Sequence, residues 1–131
     1  MTSLSAAHIR IARPTRDMDA AIRFWVEGFG MTLEGRKPGE TGTLEEIAFI
    51  GWPGGNWHLE LVLDRQIVPA PSEEDLLVLY LEGPVEEDLL ESIQNAGGRR
   101  VSARNPYWDE HGVTIIDPDG YVVVLSTRSW S

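Results

Sequence analysis

One order of secondary-structure elements occurs twice along the chain, and few folds are compatible with it. Each copy reads as strand, helix, strand, strand, strand, and each ends in two apolar runs joined by a turn. The turn is Trp-Pro-Gly-Gly-Asn at 52–56 in the first copy and Asp-Pro-Asp-Gly at 117–120 in the second. Glycine, proline, asparagine and aspartate are the residues that favour such turns. The sequence therefore predicts a duplicated βαβββ unit.

Each copy contains one amphipathic segment typical of a helix. Residues 17–29 carry apolar side chains three and four positions apart, with Thr15 or Asp17 as a candidate N-cap. Residues 84–96 begin with a proline and are followed by two glycines. We predict one domain at 1–131, with module one at about 7–63, a connector at 64–75 and module two at about 76–128. Residues 105–110 are predicted to form a loop.

Composition excludes several classes of function. The chain has 21 acidic and 11 basic residues and a formal net charge of −10, which would repel nucleic acids and anionic membranes. It has no cysteine, so thiolate metal sites and cysteine nucleophiles are excluded. Neither a membrane-spanning run nor a signal peptide is recognisable, and we expect a cytoplasmic protein. The negative charge suits a cationic ligand, although a solvated acidic surface is the simpler explanation.

Alternation within two strands gives each strand a polar face. In the strand at 57–63 the three leucines share one face, while His58 and Glu60 share the other with a valine. In the opening strand Ile9 and the next isoleucine are expected under the helix, and Arg10 is expected on the opposite face with its polar neighbours. The polar rows of both strands are thus predicted to meet on one surface.

These segments together resemble the vicinal oxygen chelate superfamily, which includes glyoxalases, bleomycin-resistance proteins and extradiol dioxygenases. The similar segments are the opening strand, the helix ending in Phe-Trp at 24–25, Glu-Gly-Phe-Gly-Met at 27–31, His-Leu-Glu-Leu at 58–61 and the 117–120 turn. The resemblance implies an α+β fold in which two tandem βαβββ modules form a curved sheet or half-barrel around a shared cavity, with the helices outside. It also implies a homodimer, with modules paired within one chain or exchanged between two chains.

In that superfamily, enzymes hold a divalent metal ion through a histidine on the first strand and a carboxylate on the last strand of each module. The matching positions here are Arg10 and Glu60 in module one, and Leu76 or Leu77 and Val124 in module two. Guanidinium and aliphatic side chains do not ligate metals, so only Glu60 is kept. We therefore expect no cofactor, and an ion pair between Arg10 and Glu60 in its place.

A rearranged metal site is the alternative. His8, His58 and Glu60 lie on one predicted face and are sufficient in kind to hold one divalent metal ion. His8 is more simply explained as a polar residue at the rim, and His111 is expected to face water.

The predicted ligand site combines that polar face with an aromatic segment. Its residues are Arg10, His58, Glu60, Asn105, Tyr107 and Trp108. Tyrosine and tryptophan rings offer flat surfaces on which aromatic or cationic ligands stack. For the tryptophans other than Trp25, packing at the ends of the sheets is as good an explanation as ligand stacking. Trp25 belongs to the helix face predicted to be buried.

The sequence favours a metal-independent protein that binds a small molecule and sequesters a cationic or aromatic ligand. One alternative is an enzyme, either a metal-dependent lyase, isomerase or dioxygenase that uses His8, His58 and Glu60, or a metal-free enzyme with His58 and Glu60 as acid and base. A second alternative is a non-catalytic relic whose cavity is filled by side chains.

Overall fold

The computed structural model describes residues 3–131 and confirms the duplicated order of elements. The first module contains β1 (Ile9–Pro14), α1 (Met18–Arg23), β2 (Thr32–Pro38), β3 (Leu44–Gly51) and β4 (Trp57–Asp64). The second contains β5 (Leu76–Tyr80), α2 (Glu87–Asn95), β6 (Arg99–Val101), α3 (Pro106–Glu110), β7 (Gly112–Ile116) and β8 (Val122–Ser126). A short 3₁₀ turn, Leu4–Ala6, precedes β1, and a π-helical turn, Phe24–Gly28, continues α1.

The two modules form two open four-stranded sheets of the same topology. The strand orders are β1-β4-β3-β2 and β5-β8-β7-β6, with the first pair parallel in each sheet and the others antiparallel. The leucines at 59 and 61 of β4 and the core residues of β7 and β8 face the helices, as alternation predicts. One face of each sheet is therefore covered by a helix, and the opposite face is open.

The helices form the main contact between the modules. Gly28, in the π-helical turn, packs so closely on α2 that a Cβ added there would lie 3.3 Å from the Cα of Ile93. The rings of Phe24 and Trp25 are both buried beside this contact and meet edge to face with centroids 4.9 Å apart. The prediction that Trp25 belongs to the core is confirmed, and the lack of a side chain at Gly28 lets the two helical segments approach.

A second contact joins the end of β1 to the turn before β8. The backbone N–H of Arg16 donates to Asp119 Oδ1 at 2.9 Å, and the guanidinium of Arg13 lies 4.6 Å from the ring centroid of Tyr121. The Asp-Pro-Asp-Gly turn is itself closed by Asp117, whose Oδ1 accepts the N–H groups of Asp119 and Tyr121, each at 2.8 Å. The motif therefore has a structural role in docking the modules.

Three sequence predictions need correction. Residues 105–110 are not a loop, because Asn105 accepts the N–H of Tyr107 at 3.0 Å and caps α3, and Pro106 stands at its first turn. The second helix begins at Glu87 rather than at the proline three residues earlier. Ile9 is 54% exposed rather than buried under the helix, because it is the first residue of an edge strand.

Within residues 3–131, no helix has both the length and the apolar character needed to cross a membrane.

Candidate functional site

The open face of the first sheet carries the predicted ion pair. Arg10 Nη1 lies 3.3 Å from Glu60 Oε1, which confirms the pairing. The two residues are diagonal neighbours on parallel strands, since Arg10 is in register with His58 and Glu60 lies two positions further along β4. The Glu60 side chain is 14% exposed and that of Arg10 is 58% exposed. The guanidinium thus gives a largely buried carboxylate a counter-ion that still reaches solvent.

Two imidazoles meet beside this pair. His8 Nε2 and His58 Nδ1 are 2.7 Å apart, a hydrogen bond that requires a protonated nitrogen on one ring and a bare nitrogen on the other. Phe49 meets the His58 ring at its edge, with centroids 5.8 Å apart. His8 is exposed, as expected of a rim residue, and its hydrogen bond orients the ring of His58.

The donor set does not fit a divalent metal ion. Arg10 is in register with His58 in the first sheet, and Leu76 is in register with Val122 in the second. Leu76, and not Leu77, is therefore the counterpart of Arg10. Val124 is likewise the counterpart of Glu60, and neither aliphatic side chain can ligate. The rearranged set is not assembled either, because no three His, Asp or Glu side chains cluster for a metal anywhere in residues 3–131. Glu60 is engaged by arginine instead.

The open face of the second sheet forms a pocket of about 370 Å³. Side chains of β5 to β8 make its floor, and the segment 101–108 and the connector make its walls. The lining consists of Leu76, Val101, Thr114, Ile116, Val122 and Val124 from the sheet, and Glu73, Glu74, Ser102, Ala103, Arg104, Asn105 and Trp108 from the walls. The interior is mostly apolar, and the charged groups belong to the walls.

An ion-pair cluster joins the two walls of this pocket. Arg104 Nε lies 2.8 Å from a carboxylate oxygen of Glu73, and Arg104 Nη1 lies 3.3 Å from one of Glu74. All three side chains are well exposed, so each pair contributes little to stability. Its effect is positional, because it ties the connector to the segment before α3.

The structure divides the predicted ligand-binding residues between two places. Arg10, His58 and Glu60 lie on the first sheet, while Asn105 and Trp108 line the pocket on the second. Every residue of that pocket comes from positions 73–124, so one chain does not bring the two sets into a single pocket. A site made of all six residues is therefore not assembled by the chain alone.

Other aromatic residues have structural partners. Tyr107 is 43% exposed and does not line the pocket; its ring packs on Trp108 and on His111, with centroids 5.1 and 4.7 Å away. His111 is half-buried under that ring, so the expectation that it faces water was wrong. Trp52 and Trp57 pack against each other and against the edge of the core, which supports the packing explanation for them.

Sequence reasoning missed Thr114 and the Arg104 cluster. Thr114 had a visible signal, because it is the polar residue between Val113 and Ile115 in an alternating strand and so must face away from the core. Arg104 had none, since its partners Glu73 and Glu74 lie thirty positions away and meet it only through the fold.

Several shifted pKa values belong to structural groups. Burial raises the pKa of the Asp117 carboxyl, although the N–H groups of Tyr121 and Asp119 act in the opposite direction. Burial also raises the pKa of Tyr121. The hydrogen bond from the Thr43 hydroxyl lowers the pKa of Asp64, and hydrogen bonds to Glu46 and Asp19 raise the pKa of Arg36. Burial thus causes the shifts of Asp117 and Tyr121, and hydrogen bonds cause those of Asp64 and Arg36.

Comparison with known proteins identifies relatives of this chain. The model of the YycE-like C-terminal domain matches residues 74–127, which is the second module. The uncharacterized protein YycE of Bacillus subtilis (strain 168) is 38% identical over 127 residues, covering 95% of this chain and 90% of its own length.

Solved structures agree with the sequence comparison. The crystal structure of a YycE protein from Bacillus subtilis has a TM-score of 0.80 at 33% identity, covering 96% of this chain and 93% of that one. TnmS3, an antibiotic-binding protein from Streptomyces sp. CB03234, has a TM-score of 0.65 at 23% identity, with 97% and 100% covered. The fosfomycin resistance protein FosX from Mesorhizobium loti has a TM-score of 0.67 at 13% identity, with 92% and 90% covered. The last two show a shared fold alone.

Proposed function

The chain belongs to the YycE-like family within the vicinal oxygen chelate superfamily, and on this premise we propose that it binds a small molecule without using a metal ion. The pocket of about 370 Å³ on the second sheet is the observation that carries the proposal. Pockets of a few hundred Å³ that are mostly apolar with a few polar groups are typical of small-molecule sites. A cavity filled by side chains, as in a relic, would leave no such space.

Metal independence rests on the chemistry of the four positions at which related enzymes would hold a metal. Arg10 brings a fixed positive charge to the place of one ligand and is paired with Glu60, the one carboxylate that remains. Leu76 and Val124 bring no donor atom at all. A divalent ion at Glu60 would have to displace the guanidinium and would then find too few ligands to replace its water.

We place the complete site between two copies of the chain. The open face of the first sheet leaves Arg10 mostly exposed, and the pocket on the second sheet is lined by one module only. A homodimer in which the first sheet of one copy covers the second sheet of the other would bring Arg10, His58 and Glu60 to the mouth of the pocket. The apolar pocket would then acquire the polar groups that orient a ligand.

The ligand in this proposal is aromatic or cationic. Trp108 supplies a flat wall, and Glu73 and Glu74 exceed Arg104 by one negative charge at the mouth. TnmS3, an antibiotic-binding protein, has the same fold, which supports small-molecule binding by this chain. We assign the binding to the cytoplasm, as the sequence led us to expect.

Titration of the purified protein with two probes tests the proposal: proflavine, a planar aromatic cation, and p-cresol, an uncharged aromatic. We expect at least one to bind in 1:1 stoichiometry per chain. Val124→Phe fills the pocket and should weaken binding at least about tenfold, whereas the matched control Val68→Phe, at an exposed position outside the pocket, should not. Leu76→Phe is a second filling variant at a half-buried position. If neither probe binds, or if the filling variants bind as the wild type does, the proposal is contradicted.

The hydrogen-bonded pair of His8 and His58 favours one further candidate, an enzyme that transfers protons without a metal. An imidazole oriented by a second ring can act as a general base near neutral pH. Glu60 is a poor choice for that role, because its carboxylate is already paired with Arg10. A bell-shaped pH–rate profile that His8→Ala abolishes would support this candidate over simple binding.

A further inference from the structure

Thr114 is the buried polar residue among those that line the pocket. It lies in the middle of β7, where its neighbours Val113 and Ile115 point to the core, so its own side chain points to the open face. Across the ladder it stands opposite Val124 on β8 and Val101 on β6, both of which line the same pocket. Its two neighbours across the sheet are therefore aliphatic.

The Thr114 hydroxyl has no hydrogen-bond partner within residues 3–131. The residue is 3% exposed, and its Oγ1 atom is buried. The other buried side-chain atom without a hydrogen-bond partner in residues 3–131 is a nitrogen of Arg13, which lies outside the pocket. Leaving a buried hydroxyl without a partner costs about 1–3 kcal/mol. An apolar valine of the same shape would avoid that cost, so a hydroxyl here is explained best by a partner that is not part of the chain.

Resting on the proposed function, we infer that the pocket takes a ligand with a flat, apolar body and one hydrogen-bonding oxygen or nitrogen at its inner end, which pairs with Thr114 Oγ1. Trp108 stacks on the body, and the aliphatic side chains of β5 and β8 surround it. Threonine both donates and accepts, so the paired atom is a carbonyl, a hydroxyl or a ring nitrogen. Charged substituents remain at the mouth, where Arg104 and its partners lie.

The test compares p-cresol with p-xylene, two probes of nearly equal shape in which a hydroxyl replaces a methyl group. Dissociation constants for both are measured by NMR titration with the wild type, Thr114→Val and Thr114→Ser. The ratio of the p-cresol constant to the p-xylene constant is compared between proteins, because the hydration of the free probes then cancels. Thr114→Val keeps the shape and removes the hydroxyl, and Thr114→Ser keeps the hydroxyl.

We expect the ratio to rise about fivefold to tenfold in Thr114→Val, the loss of one hydrogen bond, and to change less than about twofold in Thr114→Ser. A ratio that is the same in Thr114→Val and the wild type would overturn this inference and leave the binding function standing. If neither p-cresol nor p-xylene binds the wild type, this inference is wrong, whereas binding of proflavine that Val124→Phe weakens would leave the proposed function standing. Circular dichroism of each variant shows that a lost signal does not come from unfolding.

Discussion

Replacing Arg10 by alanine removes the cation beside Glu60 and leaves a carboxylate that is 14% exposed without its counter-ion. Exposed ion pairs contribute about 0.2–1 kcal/mol, whereas breaking a fully buried pair costs about 3–5 kcal/mol. The pair is intermediate, because Glu60 is largely buried and Arg10 is 58% exposed. We expect Arg10→Ala to lower the free energy of unfolding by about 1–2 kcal/mol after this discount for solvent.

The same reasoning predicts rescue by removing the second charge. Glu60→Gln keeps the shape of the side chain, and the free guanidinium of Arg10 then turns to water, so this change should cost about 0.5 kcal/mol. In the double variant no charge is left buried, and its cost should be less than the sum of the two single costs by about 0.5–1 kcal/mol. A positive coupling energy is thus the quantity to be measured.

Urea unfolding of the four proteins, at one protein concentration because a dimer would make stability concentration-dependent, gives the coupling directly. Glu27→Gln is the matched control: Glu27 Oε2 lies 3.0 Å from Arg23 Nε in an exposed pair, and we expect a change of less than about 0.5 kcal/mol. If the costs of Arg10→Ala and Glu60→Gln simply add in the double variant, Glu60 does not need the arginine, and the idea that the arginine took the metal's place is refuted.

Three further predictions follow from other parts of the chain. Because burial raises the pKa of Asp117, folding favours its protonated form, and this stabilisation is lost as the pH rises above the ordinary aspartate value of about 3.9. The free energy of unfolding of Asp117→Asn should therefore increase relative to that of the wild type between about pH 3 and pH 6, as measured by urea titrations. A difference between the two proteins that does not change with pH would contradict this. Arg104→Ala should speed hydrogen exchange of the amides at 72–75 while changing stability by less than about 1 kcal/mol, and unchanged exchange would show that the pocket walls are not tied together by this residue. The combination of Arg10→His, Leu76→His and Val124→Glu restores the missing donors, of which those at 76 and 124 would face Glu60 only across the proposed dimer, and calorimetry should show Zn²⁺ binding that the wild type lacks and that Leu76→His alone does not create; no gain would contradict the proposed facing of the two sheets.

Local patterns predicted what depends on neighbouring residues. Alternation in β4 placed His58 and Glu60 on one face, and the opposite charges of adjacent strands gave the pair with Arg10. The same patterns missed the cap at Asn105, although its Asn-Pro start is a local signal, because its aromatic residues drew the interpretation toward a loop. The pocket on the second sheet could not be predicted, since its walls meet only when residue 104 reaches the connector across thirty positions.

The two modules carry different residues at equivalent positions of the same topology, which gives their open faces different chemistry. Arg10, His58 and Glu60 in the first sheet hold the positions that Leu76, Val122 and Val124 hold in the second, so these three polar residues have aliphatic counterparts. The ion pair of the largely buried Glu60 is thus kept on the first sheet, and the floor of the pocket on the second sheet is mostly apolar. In a dimer that brings the two open faces together, the second sheet would enclose the apolar body of a ligand, and the first sheet would present oriented polar groups to it. The apolar surface would then supply most of the affinity, and the polar groups would supply the specificity.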